Sequence, residues 1–185
     1  MNTLSLVHGY LEGFIQPGNT IIDATAGNGR DTEFLCKLTG KNGKVLAFDI
    51  QPQAVENTKQ RLQDSGWDDV GQAIFDSHAN MANYAEPESV DCIVFNLGWL
   101  PGGDHSVFTH AESTIAAIEA GLTLLRKDGL MIVSIYYGGA SGYEERDALL
   151  EYVKTIDPKT YTVLVTQFAN RAGDPPIPVF ITKST

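Results

Sequence analysis

Two glycines and two acidic residues near the start of the chain are spaced to hold a charged ligand that carries a ribose. Gly27 and Gly29 follow a short apolar segment ending at Asp23, and Asp49 ends the next such segment, near the offset of about 20 residues typical of a ribose acceptor. Glycines permit a tight turn and close approach of a ligand to the backbone. The following helix would offer free N–H groups to a carboxylate, and Asp23 could accept hydrogen bonds from an ammonium.

The same turn argues against a dinucleotide. A pyrophosphate-binding turn has a third glycine in the pattern G-x-G-x-x-G, and Thr32 occupies that position here. The residues therefore favour a ligand with a carboxylate and a ribose but no diphosphate, such as S-adenosylmethionine (SAM). A purely structural turn and a surface carboxylate at Asp49 are the alternative interpretations.

Polar residues follow the third apolar segment, at 76–78. Asp76 could accept a hydrogen bond from an adenine amino group, and Ser77 or His78 could pack against the ring or bond to it. A plain solvated loop is the alternative.

The most specific pattern is the run from Phe95 to His105 after the fourth apolar segment. Methyl transfer from a sulfonium is an in-line displacement, so an enzyme mainly aligns the acceptor's lone pair and removes water from it. Asn96 offers a hydrogen-bond acceptor to an amine N–H, and Trp99 offers a stacking surface worth ~1–3 kcal/mol per base. The pair parallels the Asn-Pro-Pro-Tyr motif of amino methyltransferases and predicts methylation of an amine nitrogen. A crossover loop that only covers the core is the alternative.

Loops around that motif supply the remaining candidates. Backbone N–H groups of a Gly-Gly pair can bind a phosphate, an acidic side chain can hold or deprotonate an ammonium, and an aromatic loop follows the fifth strand. The predicted catalytic residues are Asn96 and Asp104. The predicted substrate-binding residues are Trp99, Gly102, Gly103, His105, Tyr137, Gly138 and Arg171. Ordinary loop roles remain open for them, and Arg171 could instead serve the final hairpin.

Alternating strand and helix patterns position these residues. Strands are predicted at 20–24, 44–49, 72–75, 90–96, 129–136, 161–168 and 178–183, and helices at 4–14, 31–38, 52–62, 110–125 and 144–155. Such alternation predicts an α/β fold with a mostly parallel sheet and helices on both faces. Seven strands that end in an antiparallel hairpin form the Rossmann-like ground plan of class I methyltransferases. The 185 residues predict one domain, 1–185.

Composition sets limits on partners and compartment. The net charge of −10 lacks the basic footprint of a simple nucleic-acid binder, although a local basic patch or a cationic cofactor such as SAM can compensate. No apolar run approaches the ~20 residues that cross a bilayer, the start of the chain lacks signal-peptide features, and no Cys/His cluster has metal-ligand spacing. Cys36 and Cys92 read as buried free thiols. We expect a cytoplasmic protein without metal or membrane contact.

With those residues described, the chain resembles the MnmM/YtqB-type tRNA methyltransferases, long called rRNA methylases. The resemblance covers nearly the whole length and rests on D-A-T-A-G-N-G at 23–29 with D-T at 31–32, F-D-I-Q at 48–51 and F-N-L-G-W-L-P-G-G-D at 95–104. It implies a class I fold, SAM as methyl donor with S-adenosylhomocysteine (SAH) as product, and methylation of 5-aminomethyl-2-thiouridine at the tRNA wobble position. The tRNA anticodon stem-loop would be the partner, often of a homodimer.

The resemblance also assigns residues to the pocket. The positions implied to line the SAM and acceptor sites are Asn28, Asp31, Asp49, Gln51, His78 and Asn96. The sequence departs from the family at Gly139, where members commonly have His in a Tyr-x-Gly-His pattern, and at Arg30, which often is His. Other hypotheses stay open: an rRNA target, a small-molecule amine as acceptor, and a non-catalytic SAM-binding scaffold, which the joint presence of Asp23, Asp49 and Asn96 disfavours.

Overall fold

The computed structural model describes residues 2–98, 111–137 and 139–185, with the backbone alone at 139–141. The helices are α1 (Thr3–Phe14), α2 (Arg30–Thr39), α3 (Pro52–Ser65), α4 (Ala111–Leu124) and α5 (Gly139–Val153), with a 3-10 helix at His78–Asn83. The strands are β1 (Thr20–Asp23), β2 (Lys44–Asp49), β3 (Gly71–Phe75), β4 (Val90–Leu97), β5 (Leu125–Ile135), β6 (Tyr161–Val165) and β7 (Ile177–Lys183).

All seven strands form one sheet in the order β3-β2-β1-β4-β5-β7-β6. The first five strands run parallel, and β7 lies antiparallel between β5 and β6. The predicted α/β fold and its terminal antiparallel hairpin are confirmed. The order reverses beside β1, so the carboxyl ends of β1 and β4 lie next to each other, where ligands bind in sheets of this type.

Two apolar layers cover the sheet, and β4 shows why. Successive side chains of a strand point to opposite faces. Cys92 and Val94 pack with residues of α1, α2 and α3, whereas Ile93 and Phe95 pack with residues of α4 and α5. Asn96 continues the Cys92–Val94 series, and its amide accordingly turns toward α1 and α2.

The structure corrects the predicted start of α5. The sequence Gly-Gly-Ala-Ser-Gly at 138–142 reads as a loop, yet α5 begins at Gly139, five residues earlier than predicted. A Cβ on Gly142 would lie 3.3 Å from Cα of Tyr137, so the missing side chain lets the first turn of the helix approach the end of β5. Close tertiary approach here overrides the low helix propensity of glycine.

Two expectations about burial and membranes can be compared with the structure. Cys36 and Cys92 are both buried free thiols, as predicted. Within the described ranges, no helix has the length and apolar character needed to cross a bilayer.

Candidate active site

The turn between β1 and α2 is built on two left-handed glycines. Gly27 and Gly29 have φ values of +53° and +76°, a region that side chains other than glycine rarely adopt. Gly29 also lies against α3, where an added Cβ would come within 2.9 Å of Cα of Thr58. The Thr58 hydroxyl donates a hydrogen bond to the Gly27 carbonyl over 3.0 Å. Contacts with helix α3 therefore stabilise the turn.

Asp49 ties the turn to the end of β2. Its Oδ2 accepts a hydrogen bond from the Gly27 N–H, and its Oδ1 accepts one from the Gln51 N–H, both at 2.9 Å. On the same side, the side chain of Asn57 donates to Oδ1 of Asn28 over 2.9 Å, and Arg61 donates to the Asn28 carbonyl. Predicted ligand residues from two separate segments thus form one hydrogen-bonded unit.

Asp23 lies beneath this unit with no exposed surface. Its carboxyl accepts hydrogen bonds from the Thr32 hydroxyl at 2.6 Å and the Thr25 N–H at 3.1 Å. Burial raises the pKa of Asp23 to about 7, against the lowering effect of those bonds. In this arrangement Asp23 supports the turn through these bonds, and its contact with a ligand ammonium stays a prediction.

The residues after β3 lie in and before the 3-10 helix. Asp76 accepts hydrogen bonds from Asn80, Tyr84 and the Ser77 N–H, and these bonds lower its pKa. The hydroxyl of Ser77 caps the 3-10 helix at its N-terminus. His78 donates from Nδ1 to the Ala24 carbonyl over 3.1 Å, and burial lowers its pKa, which favours a neutral imidazole at neutral pH.

Asn96 meets a carboxylate at the end of β4. Its Nδ2 donates to Oδ2 of Asp31 over 2.8 Å, and its backbone N–H donates to the Thr25 hydroxyl over 2.7 Å. The other oxygen of Asp31, Oδ1, lies 2.9 Å from Nε2 of His8. A cavity of about 10 Å³, near the size of a single water, lies between α1, α2 and β4 here.

An arginine and two tyrosines gather beyond the end of β5. The Arg146 guanidinium lies 4.8 Å from the ring centre of Tyr137 and 5.0 Å from that of Tyr143, within the range of cation–π attraction. The two rings meet edge to face at 5.7 Å, and the Tyr143 hydroxyl bonds to Asp174 in the segment between β6 and β7. Tyr143 remains 38% exposed, so this aromatic cluster (Tyr137, Tyr143, Arg146) presents a surface for further stacking.

The other predicted substrate contacts divide into two groups. Arg171 lies over the ring of Phe168 at 5.1 Å, in the segment between β6 and β7. The candidates outside the described residues are Trp99, Gly102, Gly103, Asp104, His105 and Gly138. Their roles stay predictions.

Sequence reasoning missed several residues in and around this site, among them His8, Thr58 and Arg146. His8 and Thr58 lie on helices, where a single polar residue gives no local signal of a distant partner. Arg146 lies within the predicted helix 144–155, but Tyr143 fell before it, so their position three residues apart on the same helix was not predicted. The alternation of side chains along β4 was the available signal for this part of α1, because it places the Asn96 side chain on the face of the sheet that α1 and α2 cover.

Acidic groups dominate the electrostatics at this edge of the sheet. Asp31 and Asp49 each raise the pKa of Asp23, and Asp49 favours the charged form of His78. Such a setting suits a cationic ligand more than a polyphosphate. In the described parts of the chain, no group of three or more His, Cys, Asp or Glu residues has an arrangement that could hold a metal ion.

The strand order, the glycine turn and the terminal hairpin define a class I, Rossmann-like methyltransferase fold. A SAM-dependent O-methyltransferase from Thermotoga maritima shares this fold, with a TM-score of 0.67 at 14% identity. Residues 45–182 match the model of a family described as "Putative rRNA methylase", and the chain belongs to that family.

Solved structures support the assignment over the full length. A "putative rRNA-methylase" from Clostridium thermocellum is 45% identical, with a TM-score of 0.95 over 99% of this chain and 98% of that one. A "putative methyltransferase" from Streptococcus mutans, solved in complex with SAH, is 36% identical, with a TM-score of 0.88 over 99% of this chain and 98% of that one.

A curated relative gives a named activity for a related protein. The chloroplastic tRNA (mnm(5)s(2)U34)-methyltransferase of Arabidopsis thaliana is 32% identical over 175 residues, which are 90% of this chain. The match covers 64% of the plant protein, so this chain spans less than two thirds of that relative's length.

Proposed function

We propose that this protein transfers a methyl group from SAM to the amine of 5-aminomethyl-2-thiouridine at the wobble position of tRNA. The observation that carries the proposal is the hydrogen-bonded chain of polar groups along the carboxyl edge of the sheet. It runs from Asp49 to the glycine turn on one side of β1, and from Thr25 and Asp31 to Asn96 on the other.

The side built on β1, β2 and β3 suits SAM. The residues assigned to the cofactor are Asp23, Gly27, Asn28, Gly29, Asp49, Gln51, Asp76, Ser77 and His78, together with Asp31 and Asn96, which lie where the cofactor side meets the acceptor side and contact each other. Asp49 would accept from the ribose hydroxyls, and the residues at 76–78 would border the adenine. The acidic surroundings favour a sulfonium cation. The SAH complex of the Streptococcus mutans relative supports this choice of cofactor.

The side built on β4, β5 and α5 suits an amine on a nucleoside. The acceptor's lone pair attacks the methyl carbon as the sulfur–carbon bond breaks, and the nitrogen then gives up a proton while SAH remains. Asn96 would align the amine through its amide oxygen. Asp104 or water would take the proton. Tyr143 and Arg146 offer a stacking surface for a base beside Tyr137.

The proposal also covers the partners and the location of the protein. The anticodon stem-loop of tRNA would lie over the loops after β4 and β5, and the protein would act as a homodimer in the cytoplasm. The plant relative, which its name places in the chloroplast and on U34 of tRNA, supports the choice of RNA.

The test is nucleoside mass spectrometry. Purified protein is incubated with SAM and tRNA that carries 5-aminomethyl-2-thiouridine, beside an unmodified transcript of the same tRNA. We expect a gain of one methyl group on the modified tRNA alone. Bound SAM without methylation of either RNA would contradict the assigned acceptor while leaving the cofactor assignment intact.

Ribosomal RNA is the second candidate acceptor. The family description names it, and a segment equal to 42% of this chain is 36% identical to ribosomal RNA small subunit methyltransferase H of Polynucleobacter asymbioticus, covering 23% of that protein. Including undermethylated ribosomal RNA in the same assay distinguishes the two acceptors, because each methylated nucleoside has its own mass and retention time.

A further inference from the structure

We infer that His8, on the first helix, is a positioning residue that fixes the amide of Asn96 through Asp31. The inference deepens the proposed function and rests on it, since it assigns a residue of α1 to the alignment of the acceptor amine. Nothing in the sequence motifs marks His8, which lies 23 positions before Asp31 in the chain.

One carboxylate joins the two side chains. Oδ1 of Asp31 lies 2.9 Å from Nε2 of His8, and Oδ2 lies 2.8 Å from Nδ2 of Asn96. An ionised carboxylate only accepts hydrogen bonds, so both partners must donate. His8 therefore carries a proton on Nε2, and Asn96 presents its NH₂ group to Asp31. The amide oxygen of Asn96 is left on the side away from Asp31.

The histidine ring is itself held in place. It stacks on Phe34 of α2 with ring centres 4.0 Å apart and an angle of 15° between the planes. The neighbouring Val7 and Leu11 are buried in the layer between α1 and the sheet. Stacking and the packing of α1 hold the ring in place, so its Nε2–H meets Asp31 at a fixed position. This hydrogen bond in turn holds the Asp31 carboxylate in one orientation.

The amide of Asn96 needs such a restraint. Its two ends have almost the same shape, and rotation by half a turn would present NH₂ where an acceptor is required. Ser134 lies opposite Asn96 in the register of β4 and β5, yet its buried hydroxyl has no hydrogen-bond partner among the residues that the structure describes. The backbone bond of Asn96 to Thr25 fixes the strand but not the amide. The contact with Asp31 is thus what selects the orientation.

The experiment compares two substitutions at one position. His8→Phe keeps a ring against Phe34 and removes the donor, whereas His8→Gln places an amide NH₂ near the position of Nε2. Glu12→Gln, on the exposed side of α1, is the matched control. We measure kcat, the KM for tRNA, the Kd for SAM by calorimetry, and the ¹H–¹⁵N signal of the Asn96 side-chain amide, identified by its loss in Asn96→Ala.

We expect kcat of His8→Phe to fall about tenfold, the factor for one hydrogen bond to a charged group, with SAM affinity unchanged. His8→Gln should recover most of that loss, and the Asn96 amide signal should shift or broaden in His8→Phe alone. Equal loss in both His8 variants, or an Asn96 signal that stays unchanged in His8→Phe, overturns the inference.

Two readouts keep this inference separate from the proposed function. If the wild-type protein methylates no RNA, the proposed function fails, and the Asn96 amide signal still decides whether His8 fixes it. If His8→Phe does not fold, ¹⁵N spectra of the wild-type imidazole decide. They should show the proton on Nε2, and a neutral ring with its proton on Nδ1 would overturn the inference.

Discussion

The two sides of the candidate site are built in different ways. On the side of β1 and β2, the N–H groups of Gly27 and Gln51 both donate to the carboxylate of Asp49, and these residues lie at or directly after the ends of their strands. On the side of β4 and β5, Asn96 depends on Asp31 and His8 from helices far away in the chain. The residues of the first side can be recognised from local sequence patterns, although packing brings them together. The second side includes His8, which no local pattern marks. Substitutions on the two sides should therefore change different quantities, namely SAM affinity on the first side and turnover on the second.

The largest effect is expected for Asn96→Ala, on the second side. Loss of the aligning amide should lower kcat about 100-fold, the penalty typical of a misplaced acceptor, while SAM affinity stays close to that of the wild type. Calorimetry and steady-state kinetics measure the two quantities. Asn83→Ala, at an exposed position of the 3-10 helix, is the control. Loss of SAM affinity in step with activity would place Asn96 on the cofactor side and remove the distinction.

Asp49→Ala, on the first side, should have the opposite effect: weaker SAM binding with turnover largely kept. It removes the proposed ribose acceptor and the partner of the Gly27 and Gln51 N–H groups. The Kd for SAM should rise about 10- to 100-fold, as expected for hydrogen bonds to a charged group, with kcat at saturating SAM largely kept. Asp68→Ala, an exposed carboxylate, controls for charge. Unchanged SAM binding would count against the ribose assignment.

Arg146→Ala should have a smaller effect, confined to RNA. Removing the guanidinium from Tyr137 and Tyr143 should raise the KM for tRNA about fivefold, since a cation–π contact is worth roughly 0.5–1 kcal/mol, and it should weaken the salt dependence of binding. SAM affinity should not change. Lys154→Ala removes a charge just beyond the end of α5 and serves as the control. Equal effects of both variants would indicate only a general loss of positive charge.

The smallest effect on turnover is expected for Asp23→Asn, which should change stability instead. Because burial raises the pKa of Asp23 from 3.8 to about 7, its contribution to stability is fully present below pH 3.8 and is lost as the pH rises through 7. The asparagine variant lacks this titration. Between pH 4 and 8, the wild type should therefore lose up to about 4 kcal/mol of unfolding free energy relative to the variant. Denaturant titrations that show a pH-independent difference would contradict the assigned burial effect.

The same contrast explains which parts the sequence could predict. The bounds of β2 were predicted to the residue because a strand and the glycines before it are local signals. The link between Asp49 and Gly27 follows from the adjacency of β1 and β2 in the parallel order. Local patterns around His8 do not mark it, since its contact with Asp31 depends on how α1 packs on the sheet. The predicted start of α5 was wrong for a related reason: Gly142 permits a close approach to Tyr137, whereas helix propensity describes only the isolated helix.

The place of β7 in the sheet has a consequence for how the protein is synthesised. Of the seven described strands, the one synthesised last is an interior strand, since Ile177–Lys183 pairs with β5 on one side and β6 on the other. Until it emerges, β5 has an open edge and β6 has no neighbour in the sheet. A nascent chain would thus expose two unpaired strands, which are known starting points for aggregation. Chaperone demand should fall only when synthesis of that strand is complete.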